Sequence, residues 1–476
     1  MNFFSVASML KGVKVEGEIP DTKQAYNEVL ALAIPSVLEM ALMSLIGSLD
    51  TMMVGKVLDA NALAAVAICG QPRMLLLALF FALNVGVTAI VARRKGEGLP
   101  EDANKTLRNA LIIILGISIV MMVVALLTAK PLLTFAGAGS DIIDDALSYY
   151  NILAWFLPIN ALTICICAAQ RGVGNTRVTL YVNTVSNLVN VVFNYLLIGG
   201  EFGFPRMEVS GAALATGIGF AVGFIMCIVT ITGRRSENSF LSISAHDDWK
   251  PHKPTIKSII NIGQSAAVEQ LFLRVGFFTY AKIIAGLGTI ALAAHSICMQ
   301  FLSMSFSVGD GIGVAGTSLV GQMLGQKRPD KAVVYAKVSQ RMALVAAFVL
   351  ATLFVTFRYP LVGLFLNDTD QAALALAAQV MICVGLFQPF QTSSVVISGA
   401  LRGAGDTKYV AIVMMICVSV IRPSLSILAI YLIRDVFGLP EWALLGCWSA
   451  SIIDMTIRLT AVYKRFNSGK WHHIQV

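Results

Sequence analysis

The sequence has few charged residues. Asp, Glu, Lys and Arg make up 13% of its 476 residues, and 57% of the residues are hydrophobic. Soluble domains contain about 25% charged residues, so this shortage excludes an ordinary soluble domain and indicates a polytopic membrane protein. Helices are expected throughout, because lipid offers no hydrogen-bond partner to an open backbone.

The sequence also lacks the motifs of an enzyme. It contains no glycine-rich phosphate-binding loop, no nucleophile motif, and no cluster of His, Asp and Glu with metal-ligand spacing. Four of the five histidines lie in the predicted linker or tail (His246, His252, His472, His473). We therefore expect neither an enzyme nor a bound cofactor.

About twelve apolar stretches are long enough to cross a bilayer, since a crossing needs roughly 20 residues. They lie at 28–54, 62–92, 106–130, 144–170, 177–200, 209–232, 258–285, 291–322, 334–363, 370–401, 408–433 and 442–464.

The second half of the chain repeats the first. Residues 63–103 and 292–332 share Leu-Ala-Ala and Ile-Cys-x-Gln at a constant offset, and Arg-Gly-x-Gly-Asn/Asp-Thr occurs at 171–176 and at 402–407. Two similar halves in one apolar chain predict two lobes around a central cavity, as in many transporters. The expected fold is an all-α integral membrane protein with about 12 transmembrane helices in two pseudo-symmetric six-helix lobes.

The formal net charge of +8 does not indicate a nucleic-acid partner. Most of the 35 Lys and Arg residues lie in the termini and the even-numbered loops, with clusters at 93–95, 234–235 and 327–328. Basic residues gather on the cytoplasmic side of membrane proteins. We therefore expect both termini in the cytoplasm and the protein in the plasma membrane.

One long polar segment follows the sixth crossing and is expected to join the lobes. The predicted parts are a cytoplasmic N-terminal segment at 1–26, an N-lobe at 27–232, a cytoplasmic linker at 233–257, a C-lobe at 258–464 and a cytoplasmic tail at 465–476. The first segment lacks the features of a cleaved signal peptide. The eight cysteines fall in predicted helices without metal spacing and are expected to be small packing residues.

Two motifs resemble those of the multidrug and toxic compound extrusion (MATE) family of secondary antiporters. The first crossing contains Ile-Pro at 34–35 and Gly-Ser-Leu-Asp-Thr-Met-Met-Val-Gly at 47–55, and the duplicated Arg-Gly-x-Gly motif follows the fourth and tenth crossings. The resemblance covers essentially the whole chain. It implies a V-shaped pair of helix bundles that exports organic, often cationic, compounds against an inward flow of protons or sodium.

The first crossing carries two carboxylates in apolar surroundings. An ionised Asp50 at this depth costs at least roughly 2.5 kcal/mol, so we expect it to be protonated, paired or bound to a cation. The resemblance implies cation coupling, and a buried structural carboxylate is the alternative. Glu39 stands three helical turns earlier on the same face, roughly 16 Å away. Glu39 either lines the same cavity or has a structural role.

The fifth crossing places four asparagines on one helical face (Asn183, Asn187, Asn190, Asn194). The equivalent positions of the second half are apolar, so this asparagine stripe belongs to the first lobe alone. A stripe of carboxamides inside a membrane predicts a cavity lining. Asparagines also join transmembrane helices through hydrogen bonds worth about 0.6 to 2 kcal/mol, which is the alternative.

The resemblance implies that Asn190, Asn194 and the sixth-crossing Thr216 complete a cation-coupling site around Asp50. Some family members have Asp where this chain has Asn194. One carboxylate with neutral oxygens suits a protonation switch and weakens sodium binding, because hard cations favour charged oxygen ligands. The coupling ion is therefore expected to be a proton, with sodium as the alternative.

The predicted crossings of the second lobe also contain ionisable residues (Glu269, Arg274, Asp310, Arg422, Asp454). Most are expected to pair, and Asp454 with Arg458, one turn later, predicts a structural ion pair. Glu269 resembles a carboxylate that one branch of the family uses for sodium, but the tenth-crossing Asp of that branch is Gln391 here. We take Glu269, Gln391 and the equivalent Asn160 as candidate cavity residues.

Prolines within the crossings predict hinges. Pro35, Pro158 and Pro389 each remove a backbone donor and allow the helix to bend. Pro158 and Pro389 hold equivalent places in the two halves, so both lobes are expected to bend at the same point. Plain packing is the alternative.

An antiporter that works by alternating access explains these features best. Protonation of Asp50 would change its hydrogen bonds to the asparagine stripe and release a small organic substrate outward. A flippase for a lipid-linked saccharide of the same superfamily is the alternative; the neutral stripe disfavours its anionic substrate, whereas Arg274 and Arg422 favour it. A channel fits less well, because kinked crossings and a buried carboxylate suit a gated carrier. We expect a monomer in the lipid bilayer.

Overall fold

The computed structural model describes residues 3–58, 60–232, 239–365 and 371–474, and it leaves the side chains of residues 45–52, 55, 56 and 60 undescribed. Within these residues the secondary structure is helical and contains no strand. The prediction of an all-α fold is confirmed. All eight cysteines are free and buried, as expected of packing residues.

The α-helices, in chain order, are α1 (Val6–Met9), α2 (Thr22–Val57), α3 (Ala60–Glu97), α4 (Pro100–Phe135), α5 (Ile143–Trp155), α6 (Leu157–Gly172), α7 (Thr176–Gly199), α8 (Glu208–Ile231), α9 (Lys253–Ala285), α10 (Thr289–Gly325), α11 (Pro329–Thr356), α12 (Arg358–Gly363), α13 (Gln371–Gly403), α14 (Thr407–Ile416), α15 (Arg422–Ile430) and α16 (Ala443–Asn467). Two π-helical segments, Cys417–Ile421 and Tyr431–Val436, continue α14 and α15.

Nine helices of the described residues are long and apolar enough to span a membrane, and the bent pair of α5 and α6 makes a tenth. The remaining two predicted crossings coincide with α9 and α16. Both helices carry ionisable side chains, among them Glu269 and Asp454, which lower their mean hydropathy. Every predicted crossing is therefore helical, in agreement with about 12 transmembrane helices.

Two of the long helices begin in the same way in the two halves. α4 starts with Pro100 and has Glu101 in its first turn, and α11 starts with Pro329 followed by Asp330. Proline at the first helical position has the required φ and lacks an N–H that would have no partner there, and an acidic residue favours the positive end of the helix. The duplication thus extends to the signals that begin these helices.

The chain forms two compact units by contact density. The N-unit comprises Leu38–Ala267, and the C-unit comprises Met1–Val37 with Val268–Val476. The start of the first crossing therefore belongs to the C-unit, and the start of the seventh crossing belongs to the N-unit. The lobe boundaries expected from the repeat stay a prediction.

The first glycine of the duplicated Arg-Gly-x-Gly motif packs against the backbone of a neighbouring helix. A Cβ on Gly172 would lie 2.8 Å from the carbonyl oxygen of Thr88, and a Cβ on Gly403 would lie 2.1 Å from that of Thr317. Neither position has room for a side chain. The motif therefore fixes how closely α6 approaches α3, and how closely α13 approaches α10.

The second glycine of the motif ends the helix. Gly174 has a φ of +86° and Gly405 a φ of +90°, in the left-handed region that glycine adopts without strain. The chain then turns into α7 at Thr176 and into α14 at Thr407. The duplicated motif thus makes the same helix-turn-helix connection in each unit.

The polar linker binds the N-unit at the start of α4. Arg108 donates to Asp247 over 2.7 Å and to Glu101 over 2.8 Å. Two linker amides donate to asparagines of α4 (Ser242 to Asn104 over 2.9 Å, His252 to Asn109 over 2.7 Å). The part of the linker from residue 239 onward is therefore anchored to a helix by charge and by backbone hydrogen bonds; residues 233–238 lie outside the description.

The N-terminal segment binds the C-unit in the equivalent way. The amide of Glu16 donates to Asp330 over 3.0 Å, and Lys337 of α11 donates to the carbonyl oxygen of Met9 over 2.6 Å. In the repeat, Asp330 and Lys337 correspond to Glu101 and Arg108. Each unit therefore binds the segment that leads into the first crossing of the other half.

Replacing Asp247 by Asn is expected to loosen the linker. The Ser244 amide and the Arg108 guanidinium hold the pKa of Asp247 below its usual value. The carboxylate therefore stabilises the linker fully at a pH above the pKa of unfolded Asp, which is about 3.9. This stabilisation is lost as the pH falls through the lower pKa of the folded protein. At pH 7 we expect hydrogen exchange of residues 239–252, followed by mass spectrometry, to be roughly threefold faster in Asp247→Asn.

The control is Asp248→Asn, whose carboxylate accepts a hydrogen bond from the Lys250 amide within the same turn. Its exchange rate should match that of the wild type. An Asp247→Asn protein with wild-type exchange at pH 7 would show that the ion pair does not anchor the linker.

Candidate functional site

Glu39 is the centre of a buried polar network in the N-unit. Its side chain is 1% exposed. One carboxylate oxygen accepts from Arg171 over 3.2 Å and from Asn183 over 2.7 Å, and the other accepts from Thr179 over 2.7 Å. Arg171 and Asn183 donate to the carboxylate, and the Thr179 hydroxyl also lies within hydrogen-bond distance of the Thr176 carbonyl oxygen. The geometry therefore supports the structural reading of Glu39 over that of an open cavity lining.

The asparagines of α7 make further hydrogen bonds on the same face of the helix. Asn187 donates to the carbonyl oxygen of Asn183 over 2.7 Å, Asn194 donates to Asn190 over 3.5 Å, and Asn190 donates to Thr216 of α8 over 3.0 Å. Asn183 and Asn187 are half-buried, whereas Asn190 and Asn194 are buried. The predicted partners Asn190 and Thr216 therefore do meet, at a contact between α7 and α8.

Asp50 lies in α2, on the helix that also carries Glu39. Its side chain is outside the described residues, so its contacts with the stripe stay a prediction. Pro35 lies inside the same unbroken helix, where the hydroxyl of Ser36 donates to the Leu32 carbonyl over 3.0 Å.

The sequence interpretation missed two partners of Glu39, namely Arg171 and Thr179. The signal was available, because Arg171 opens the duplicated motif and Thr179 lies one turn before Asn183 on the same face of α7. A buried glutamate in the first crossing requires a donor, and the arginine of that motif is a cation that recurs in both halves.

The C-unit contains the equivalent ion pair with different neighbours. Arg402 of the second motif donates to Glu269, which is 2% exposed. Val410 and Met414 replace Thr179 and Asn183.

The C-unit cluster contains a second carboxylate. The exposed Asp310 of α10 interacts electrostatically with both Arg402 and Glu269. The N-unit cluster therefore pairs one carboxylate with one arginine, whereas the C-unit cluster holds two carboxylates for one arginine.

A second buried ion cluster in the C-unit has a structural role. Asp454 accepts from Arg422 over 2.7 Å and lies 3.5 Å from Arg458, and all three side chains are at most 2% exposed. The predicted pair of Asp454 and Arg458 is therefore present. Because Arg422 is buried in this pair, it offers no charge to an anionic lipid headgroup.

The expectation that both lobes bend at one equivalent proline stays a prediction. Pro158 lies in the first turn of α6, and the chain bends by 49° between α5 and α6. Pro389 lies inside the unbroken α13. The neighbouring Gln388 side chain donates to the Val384 carbonyl of the same helix over 3.0 Å.

Asn160 and Gln391 hold equivalent places in different surroundings. Asn160 is half-buried and lines a cleft of the N-unit together with Arg73 and Tyr150. Gln391 is fully buried, and neither polar atom of its amide has a hydrogen-bond partner among the described residues. The cavity role proposed for Asn160 is thus compatible with its position, whereas Gln391 lies within packed helices.

Comparison with known proteins agrees with this architecture. The MatE family model matches residues 35–196 and 265–428, one match in each half. The "uncharacterized transporter YisQ" of Bacillus subtilis (strain 168) is 27% identical over 443 residues, which cover 93% of this chain and 94% of that protein. The "probable multidrug resistance protein NorM" of Pasteurella multocida (strain Pm70) is also 27% identical, over 92% of this chain and 93% of its own.

A solved structure shows the shared fold. A MOP superfamily transporter from Pyrococcus furiosus aligns with a TM-score of 0.85 at 19% sequence identity, covering 94% of this chain and 97% of that chain. The family match spans most of both halves and includes the duplicated arginine motif. The chain therefore belongs to the MatE family of membrane transporters.

Proposed function

We propose that the protein is a secondary antiporter that exports organic, chiefly cationic, drugs or toxic metabolites in exchange for protons by alternating access. The observation that carries the proposal is the row of polar contacts on one face of α7, where Asn183 binds Glu39 and Asn190 binds Thr216. Relatives named multidrug resistance proteins support the substrate class.

In this proposal Asp50 carries the proton and Glu39 is a positioning residue. Three hydrogen-bond partners already fix the position of the Glu39 side chain. Asp50 lies on the same face of α2, three turns further along. An asparagine amide offers both a donor and an acceptor, so the stripe on α7 can bond either form of Asp50.

The proposed cycle uses this adaptability. Ionised Asp50 attracts a cationic substrate, and a proton that arrives from outside neutralises it and removes that attraction. The asparagines then accept a hydrogen bond from protonated Asp50 where they donated one to its ionised form, and α2 shifts against α7. We place both termini in the cytoplasm and the protein in the plasma membrane.

Transport by the purified protein in liposomes tests the proposal. An acidic interior should drive uptake of the cationic dye ethidium as protons leave, and a protonophore should abolish that uptake. An outward sodium gradient at equal pH should have no effect. Uptake driven by sodium alone would show that sodium, and not the proton, is the coupling ion. Lipid translocation without dye uptake would favour the flippase.

A further inference from the structure

A cleft in the N-unit contains a positive charge that the proposed proton pathway does not use. It lies where α3, the α5–α6 bend and α8 meet, and about 350 Å³ in and above it, open solvent included, is free of protein atoms. Most of its wall is apolar, with Leu76, Leu153 and Leu157 among the lining residues, and Phe220 adds an aromatic ring. Three polar side chains, those of Arg73, Tyr150 and Asn160, complete the lining.

Arg73 lies deep in a membrane-spanning helix. It stands thirteen residues into α3, roughly 20 Å from the start of that helix. Among the described residues it forms no ion pair, and its guanidinium lies 5.9 Å from the centre of the Phe220 ring. A charge at such a depth normally faces a partner or a water-filled cavity, and it marks a functional site.

Tyr150 provides a second and independent sign of a ligand. Its side chain is 2% exposed, and its hydroxyl has no hydrogen-bond partner among the described residues. A buried hydroxyl without a partner is energetically costly. Since Tyr150 lines the same cleft as Arg73, one acceptor group placed there would satisfy both side chains.

The second half of the chain shows that the scaffold does not require these polar groups. The residues equivalent to Arg73 and Tyr150 are Leu302 and Met381, which are buried in one hydrophobic cluster.

The apolar wall of the cleft also changes in the second half. The residues equivalent to Leu76 and Leu157 are Ser305 and Gln388, which are hydrogen-bonded to each other. The arginine and the tyrosine are therefore additions of the N-unit to a fold that packs without them.

We propose that this cleft is a binding site for the carboxylate of an aromatic compound. Arg73 would hold the carboxylate through two parallel N–H···O bonds. Tyr150 would donate its hydroxyl to the same group, and the leucines and Phe220 would contact the aromatic body.

Two dyes that differ only in a carboxylate test the proposal. Rhodamine 19 has a free carboxylate, and rhodamine 6G is its ethyl ester. Fluorescence polarisation with the purified protein in detergent measures the dissociation constant of each. We expect Arg73→Leu, which introduces the residue of the second half, to weaken rhodamine 19 binding roughly 10- to 100-fold, with rhodamine 6G binding changed less than threefold.

Two further variants keep the test independent of folding. Tyr150→Phe should weaken only rhodamine 19 binding. The dissociation constant of Arg73→Lys for rhodamine 19 should lie between those of Arg73→Leu and the wild type, because lysine keeps the charge and loses the bidentate geometry. Arg274→Leu, an exposed arginine of the C-unit, is the control and should bind both dyes as the wild type does. Equal losses for both dyes, or no loss in Arg73→Leu and Tyr150→Phe, would overturn the proposal.

The binding assay separates this inference from the proposed antiport. If ethidium uptake proves independent of ion gradients while Arg73→Leu still loses the preference for the carboxylate, the antiport proposal fails and the cleft remains a binding site. If uptake follows the proton gradient and the preference is absent, only the cleft proposal fails.

Discussion

Replacing Asp50 by Asn should reduce proton-driven dye uptake to the level of protein-free liposomes. Asparagine can bond to the stripe on α7, but it cannot take up or release a proton, so the exchange reaction loses its coupling step. A neutral side chain is also less costly than a carboxylate inside the bilayer. The variant should therefore be purified with a melting temperature at or above that of the wild type, and the loss should appear only in transport.

The C-unit offers matched controls for this experiment. Asp310 and Glu269 lie in predicted crossings as Asp50 does, and Asp310→Asn and Glu269→Gln each remove one carboxylate from the second cluster. Both variants should retain proton-driven uptake. If Asp310→Asn abolishes uptake while Asp50→Asn retains it, coupling belongs to the cluster with two carboxylates and one arginine.

Adding one methyl group at Gly403 should prevent folding. An alanine Cβ there would lie 2.1 Å from the carbonyl oxygen of Thr317, a contact with backbone that no rotamer change can relieve. Overpacking of this kind costs about 3 kcal/mol or more. We expect Gly403→Ala to yield little monodisperse protein in size-exclusion chromatography.

Alanine at two other glycines should have a smaller effect on stability and an opposite one. Gly172→Ala brings a Cβ to 2.8 Å from the Thr88 carbonyl oxygen and should cost about 1 to 3 kcal/mol, visible as a lower melting temperature. Gly116 of α4 has open space around its Cβ position, and alanine there should stabilise the helix by about 0.5 to 1 kcal/mol. Equal stability of the Gly403 and Gly116 variants would refute the packing account of the motif.

The fold could be predicted from the sequence because the bilayer leaves few choices. Long apolar stretches must be helical, and the repeat then divides them into two sets of six. The sequence could not predict in this way that each unit binds the segment that leads into the first crossing of the other half. This binding depends on single polar residues of α4 and α11, whose partners lie far away in the sequence: Arg108 binds the Asp247 carboxylate, and Lys337 binds the Met9 carbonyl oxygen.

The candidate site was predicted in part. Helical spacing placed the four asparagines on one face, and Asn190 contacts Thr216 as the resemblance implied. The same spacing could not show that Glu39 is paired with Arg171, because that contact joins α2 to the end of α6. The helix breaks next to Pro158, whereas α13 continues through Pro389, and the matching prolines of the sequence do not distinguish these two cases.

The division into units has a consequence for synthesis. Residues 1–37 leave the ribosome first, but they belong to the same unit as residues 268–476. The N-unit in turn needs the linker and the start of α9, which are translated only after its other helices. The opening segment of the nascent chain must therefore wait for α11, whose Asp330 and Lys337 bind it. A chain cut within residues 233–238 should regain both units only when its two fragments are co-expressed.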